Sequence, residues 1–296
     1  MIEAEALGAD EQRSAHIAGL ESRLWRRLRH SRAARFGAAI LMALLLGALL
    51  GPLASRYGYE QLDWRHIAEP PFAGAHWLGT DRLGRDLAVR VFYGARLSLA
   101  IGFTATAVSV VIGVLWGAAA GFAGGRVDGL MMRIVDGLNS LPYLLLVIAL
   151  TTLFGRGNPY VLFAAIGAVG WITMARIVRG QALSLERATF IEAAVASGAS
   201  APRIVLRHII PNLAGPVIVY TALTVPQMIL FESFLSFLGL GIQEPLASLG
   251  SLIRDGAAQM GSAPWLLAAP ASLLALLLLG LNLLGDALRD ALDPRG

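Results

Sequence analysis

The chain has 296 residues, of which 56% are hydrophobic and only 15% charged, with a mean hydropathy of +0.64; soluble domains carry roughly 25% charged residues, so composition excludes a water-facing globule in favour of an integral membrane protein. All 24 basic residues are arginine, and the chain has neither lysine nor cysteine, which excludes a Walker A loop, a Schiff-base lysine, a thiol nucleophile, a thiolate metal site and disulfides. The formal charge of +4 sits in blocks flanking apolar runs, the pattern that orients a membrane protein rather than one that binds nucleic acid.

Six stretches lack Asp, Glu and Arg for about the 20 residues that a helix rising about 1.5 Å per residue needs to cross a bilayer core: 36–55, 97–125, 137–155, 157–175, 209–231 and 256–285. Six core helices in a soluble protein would need a larger polar shell than this chain holds, so the expected fold is an all-α membrane protein with six transmembrane helices. Residues 1–35 read as a charged cytoplasmic tail, helical near the membrane, with Trp25, Arg26 and Arg27 at interfacial distance. The first span, 36–55, is too long and too far from the start to be the apolar core of a signal peptide. An extracytoplasmic segment follows over 56–96, broken by Pro70 and Pro71, and then a core transmembrane domain over 97–285.

Within the second span, Gly113, Gly117 and Gly121 recur at four-residue spacing. That spacing places small residues on one helix face, where a neighbouring helix can approach closely. A tightly packed transport core and generic helix packing fit it equally. Pro142, Pro216, Pro226 and Pro270 fall inside spans, where each frees a backbone carbonyl that must find another partner. The five histidines are scattered, without the i, i+4 pair of a helical zinc site, so no metal site is expected. With the N-terminus inside, interior segments hold fifteen arginines against seven outside, Arg96 and Arg176 lying at boundaries. The bias predicts both termini in the cytoplasm, including the tail 286–296.

The longest interior loop, 176–212, carries two helix signals. Thr189 followed by Glu192 reads as a capping box, and Gly198 suits the left-handed end of that helix. Ser200 then reads as the cap of a second short helix with Pro202 in its first turn, running through His208 toward Pro211. Such an alanine-rich pair exposes apolar surface; docking onto a protein partner and lying flat on lipid remain equally open on these grounds.

Glu192-Ala193-Ala194, then Gly198 after three residues and Pro211 thirteen further on, resemble the EAA loop of permease subunits of bacterial ABC importers. The run Arg207-His208-Ile209-Ile210-Pro211-Asn212 is similar to the dipeptide and oligopeptide subgroup, with His208 where the general motif favours isoleucine. The resemblance extends from 76 to 295. It includes the run 76–86, His-Trp-Leu-Gly-Thr-Asp-Arg-Leu-Gly-Arg-Asp, and the run 93–99 entering the second span. Asp136 with Pro142, the run 232–241 and the tail 285–295 continue it. Together they resemble the second, C-type permease of the peptide importers. The exterior run 243–250 departs from the family, which usually has proline where Glu244 stands and tryptophan where Leu249 stands.

The resemblance implies a type I importer permease of six transmembrane helices in the bacterial inner membrane. It implies a homologous second permease, two cytoplasmic ATPase subunits that bind ATP and Mg, an extracytoplasmic peptide-binding protein, surrounding lipid and no nucleic acid. This chain would then hold no cofactor and perform no catalysis. The implied coupling helix comprises Glu192, Ala193, Ala194, Gly198 and Ala199, followed by Pro202 and Arg203. Glu192 would pair with a basic residue of an ATPase subunit, the alanines would pack closely, and Gly198 would provide the turn. Dipeptides, longer peptides and a metal chelate remain open as cargo.

Glu232 is the one carboxylate bordering a span on its outer side, which makes it a candidate for the substrate path; a helix-end residue hydrogen-bonded near water reads slightly better. A secondary transporter or channel acting alone is the alternative function, but it would place charges in mid-span and show an inverted repeat. An intramembrane enzyme would need catalytic groups that the spans lack.

Overall fold

Four of the described helices begin at side-chain caps. Ser31, Asp86 and Asn158 each adopt extended backbone and accept a hydrogen bond from a first-turn amide of the following helix; Ser248 and Ser251 form a reciprocal capping box. The computed structural model describes residues 27–74, 76–155 and 158–292. Trp25, Arg26 and most of the 1–35 tail, and the chain from Asp293 onward, lie outside the described residues.

In chain order, α1 (Arg32–Ala54) and α2 (Leu87–Ala123) precede a bent pair, α3 (Gly125–Asn139) and α4 (Tyr143–Phe154). Next come α5 (Pro159–Glu186), the short α6 (Thr189–Ala196) and α7 (Ala201–Ile204), and a π turn (Val205–Ile209) leading into α8 (Ile210–Asn212). The chain closes with α9 (Ala214–Phe237), α10 (Leu249–Ala257) and α11 (Trp265–Leu292). Helices α1, α2, α5, α9 and α11 are long and apolar enough to cross a bilayer, and the α3–α4 pair, bent by 84°, makes a sixth crossing when taken as one broken span.

That third span corrects a sequence expectation. The window 137–155 is broken at Ser140 and Leu141, and Pro142 is the N-cap of α4 rather than an interior residue. A proline biases the residue before it away from helical backbone, and its own missing N–H is harmless at a helix start. Pro216 likewise lies in the first turn of α9, whereas Pro226 and Pro270 are inside helices, as expected. Residues 176–186, read from sequence as loop, continue α5.

Pro52 interrupts α1 as well. It cannot donate to the Ala48 carbonyl one turn earlier, and Arg96 of α2 makes good that loss: its Nε donates to Ala48 O and its Nη2 to Leu49 O at 2.7 Å.

Close contacts fix the direction of each crossing. A Cβ on Gly113 would meet Met174 and the Trp171 carbonyl, one on Gly117 the Ala175 carbonyl, and one on Gly121 the side chain of Ala182. Residue numbers rise together, so α2 and α5 run parallel, with α3–α4 as the return crossing. Gly102 against Ile229, and Ser98 against Glu232, make α9 antiparallel to α2. Gly47 and Gly51 meet Phe92, while Gly37 meets Gly280 and Leu283. The start of α1 and the end of α11 therefore lie at the same end of the bundle as the α6–α8 hairpin, and the 55–86 segment and α10 lie at the opposite end. Leucines such as Leu46, Leu49, Leu50 and Leu53 of α1 are exposed on the outside of the bundle, as a lipid-facing surface requires.

The glycine stripe generates a stability prediction. Gly117→Leu would force its Cβ to within 2.4 Å of the Ala175 carbonyl oxygen, overpacking that costs about 1–3 kcal/mol. A lower thermal midpoint in detergent is expected. Gly180→Ala, on α5 with nothing within 4 Å of the added atom, should be neutral or slightly stabilising.

Candidate functional site

The hairpin at one end of the bundle starts from a plain turn. Ala188, with extended backbone and no side-chain cap, precedes α6, and Thr189 is already its first helical residue. The expected capping box is therefore absent: the chain enters the helix one residue early, so Thr189 cannot reach forward as a cap. The end of α6 matches expectation. Gly198 has φ +79°, its N–H donates to the Val195 carbonyl, and the Ala199 N–H reaches back to the Ala194 carbonyl at 3.1 Å, a Schellman closure that favours glycine. Ser200 precedes α7 with extended backbone but makes no side-chain cap, and Pro202 lies in the first turn.

Ile191, Ile204, Ile209 and Leu213 are buried beneath the hairpin and pack with Val114 and Ala118 of α2 and with Met174, Val178 and Ala182 of α5. The opposite face is open. Glu192, Ala193, Gly198, Pro202 and Arg203 are exposed there, while Ala194 and Ala199 are half-buried against the core. Phe190, Val195 and Leu206 add exposed apolar area, at 42%, 54% and 58%. An ion pair between Arg179 and Asp128, with both guanidinium contacts at 2.5 Å, ties α5 to α3 nearby.

A cavity of about 410 Å³ opens between the α3–α4 bend, α5 and α9. Asn139, Thr173, Tyr220, Thr224 and Gln227 supply polar groups, and Tyr143, Tyr220 and Phe231 aromatic wall. The Tyr143 and Phe231 rings lie 4.5 Å apart, and the Tyr143 hydroxyl donates to the Ile166 carbonyl at 3.0 Å. Sequence reasoning did not single these residues out. The available signal was the presence of uncharged polar side chains inside otherwise apolar windows.

Glu232 is fully buried and does not line that cavity. Ser98 Oγ donates to its Oε2 at 2.9 Å and Ser236 Oγ to its Oε1 at 2.8 Å. Ser98 Oγ in turn accepts from the Leu249 N–H at 3.2 Å, so the carboxylate joins α9 to α2 and to the start of α10.

At the end opposite the hairpin, the 76–86 run builds a polar cap. Asp86 caps α2 through the Val89 N–H and holds the buried His76 ring at 2.8 Å. Arg85 binds Asp81 at 2.6 Å and Glu244 at 3.0 Å. The buried Arg90 lies 3.6 Å from Asp81, 3.8 Å from Glu244, and over the Tyr59 ring. Glu244, the departure from the resembled family, thus supplies a carboxylate to two arginines. Its hydrogen bond from Arg85 holds its carboxyl below the usual range. In the 55–74 segment His66 is hydrogen-bonded to Asp63 at 2.8 Å; that contact raises the imidazole and lowers the carboxyl from their ordinary values.

Comparison with known proteins follows the same lines. The model for the family described as binding-protein-dependent transport system inner membrane component matches residues 92–295, and that for the N-terminal TM domain of oligopeptide transport permease C matches 22–71. The chain is 49% identical over 282 residues to the oligopeptide transport system permease protein OppC of Haemophilus influenzae, covering 93% of this chain and 90% of the relative. Identity to the Escherichia coli K12 protein of the same name is 51% over 271 residues, covering 91% and 89%. The dipeptide transport system permease protein DppC of Bacillus subtilis is 44% identical over 272 residues, covering 92% and 84%. In fold, the chain is similar to a chain of the inward-facing MetNI methionine ABC transporter, with TM-score 0.54 and 18% identity, over 69% of this chain and 96% of that one.

The Glu244 carboxyl has a folded pKa below its unfolded one, so its stabilisation is complete above the unfolded value, near 4.5. It is lost as pH falls through the folded value. Because the side chain is 48% exposed, the effect is small. Glu244→Gln should lower the thermal midpoint at pH 7, and the gap to wild type should narrow as pH falls below about 4.5.

Proposed function

The chain belongs to the family of binding-protein-dependent transport system inner membrane components, and from that membership we propose that it is the C-type permease of an oligopeptide importer, forming one wall of the path and receiving force through the α6–α8 hairpin. It is a multi-pass membrane permease of an ABC importer and not itself an enzyme. Without lysine it has no Walker A site, so the energy of ATP reaches it by contact with separate subunits. Family membership displaces the alternative of a transporter or channel acting alone.

One observation carries the coupling reading: the hairpin carries apolar side chains on both faces, but among the described residues only the inner face is covered. Its inner face is continuous with the packed ends of α2 and α5, so displacement of the hairpin moves those helices rather than a loose loop. Its outer face exposes Phe190, Val195 and Leu206 beside Glu192 and Arg203, a surface of mixed apolar and charged character suited to a protein cleft. Glu192, Ala193, Ala194, Gly198, Ala199, Pro202 and Arg203 form the docking segment. Two cytoplasmic ATPase subunits binding ATP and Mg, a homologous second permease and an extracytoplasmic peptide-binding protein complete the importer. The hairpin end then faces the cytoplasm of the inner membrane, together with both termini.

The cavity between α4, α5 and α9 forms this subunit's share of the path. Its amide and hydroxyl groups can exchange hydrogen bonds with a peptide backbone, and among the described residues no charged one lines it, a chemistry that tolerates varied side chains. Glu232 acts away from this wall, as the tie between α2, α9 and α10.

Coupling is tested by Gly198→Pro and Glu192→Arg in the assembled complex. Proline cannot adopt positive φ, and charge reversal opposes a basic partner. Both variants should insert and fold, yet lose at least about tenfold in uptake and in peptide-stimulated ATP hydrolysis, a loss of about 1.4 kcal/mol in coupling. Wild-type uptake and hydrolysis in both variants would remove the hairpin from the mechanism.

A further inference from the structure

Between α1 and α2 the fold gathers three metal-ligating side chains that neither the hairpin nor the path uses. Asp63, His66 and His76 each bring one ligand atom to within 4.8 Å of the other two. Each is fixed by a different residue of the segment entering α2. The Asp63 carbonyl occupies the space that a Cβ on Gly84 would need, 1.8 Å away, and Gly84 itself has φ +72°. The His66 carbonyl accepts from Thr80 Oγ1 at 2.5 Å. His76, 2% exposed, is oriented by the buried Asp86 carboxylate, which binds its Nδ1 at 2.8 Å.

That last contact has a specific chemical meaning. A carboxylate behind an imidazole fixes its tautomer and orientation and raises its basicity, the arrangement found behind metal-binding histidines. With Nδ1 turned to Asp86, Nε2 is the nitrogen that His76 has to offer. His66 Nδ1 and Asp63 Oδ2 lie 2.8 Å apart, a hydrogen-bond distance; adjacent ligands on a tetrahedral ion with bonds of about 2.0–2.2 Å stand about 3.3–3.6 Å apart, so the two would part by about half an ångström to hold one. A cation would replace the proton they share. Nearby, Glu69 has a buried Oε2 without a hydrogen-bond partner among the described residues.

The geometry points to a site for a divalent transition metal of the zinc class, held by Asp63 Oδ2, His66 Nδ1 and His76 Nε2, that pins the segment before α2 to that helix's first turn. Two imidazoles and one carboxylate suit zinc, cobalt, nickel or copper rather than calcium or magnesium, which take oxygen ligands. The side chains of His66 and Asp63 are 43% and 29% exposed, which leaves an entry path and a coordination position for water.

The test uses the assembled permease complex, stripped with chelator and dialysed, then titrated with Co²⁺ as a spectroscopic probe and with Zn²⁺ as competitor. One Co²⁺ per copy of this chain is expected, with visible absorption of a four- or five-coordinate ion that Zn²⁺ removes. His66→Ala and Asp63→Asn should each weaken binding at least about tenfold and abolish a zinc-dependent rise in thermal midpoint, whereas His30→Ala should change neither. Asp63→Asn keeps the shape of the turn, so the test survives if His66→Ala does not assemble. Equal stoichiometry and affinity in wild type and variants would mean an adventitious ion only, and would overturn the site. Absence of saturable Co²⁺ binding in the wild type would overturn it as well.

Discussion

The parallel contact of α2 with α5 organises the rest of the molecule. In an apolar solvent, helices gain nothing from hiding leucine from lipid, and close van der Waals approach must hold them together instead. Gly113, Gly117 and Gly121 provide that approach over two turns, against the carbonyls of Trp171 and Ala175 and the Ala182 side chain. Because the two helices are parallel, the chain must recross between them, and the bent α3–α4 pair is that recrossing. α4 has only 12 residues, about 18 Å of helix. The bend therefore lies within the span, and the cavity forms beside it.

The same contact extends to the hairpin. Its isoleucines continue the α2–α5 seam past the ends of the long helices, while the Gly198 turn keeps α6 short and its outer face free. A rigid lever needs both features: a packed root and an exposed tip. On the other side of α5, the side chains facing α9 line the cavity. One helix thus touches both the proposed site of force and the proposed path.

Charge is handled at the opposite end by pairing rather than by exposure. Asp81, Arg85, Arg90 and Glu244 share one cluster, and Asp86 serves His76 and the start of α2 together. Glu232, open on sequence grounds as a path residue with a hydrogen-bonded helix-end role slightly favoured, is surrounded by serine hydroxyls that satisfy its oxygens. Its burial allows it to lock α2, α9 and α10 in register.

Some of this was legible in the residues alone. Crossing number, the small-residue face of α2 and the left-handed turn at Gly198 depend on local properties: hydropathy over one helix length, spacing along one helix, and the φ preference of one residue. The family resemblance was equally visible, since its motifs are contiguous. The start of α6 was missed because Thr189 is a cap only if the residue before it is not, and the path of the chain out of α5 decides that. The break at Pro142 was legible as a proline but not as an 84° turn, since the turn depends on what α3 packs against. Histidines 66 and 76 look scattered in a search for helical spacing, and loop folding against Gly84, Thr80 and Asp86 brings them together. Pairings such as Arg96 with the Ala48 carbonyl, the serine cage around Glu232 and the cavity between α4, α5 and α9 belong to tertiary structure alone. Each joins groups distant in sequence, and nothing in a single segment encodes which distant partner will satisfy its polar atoms.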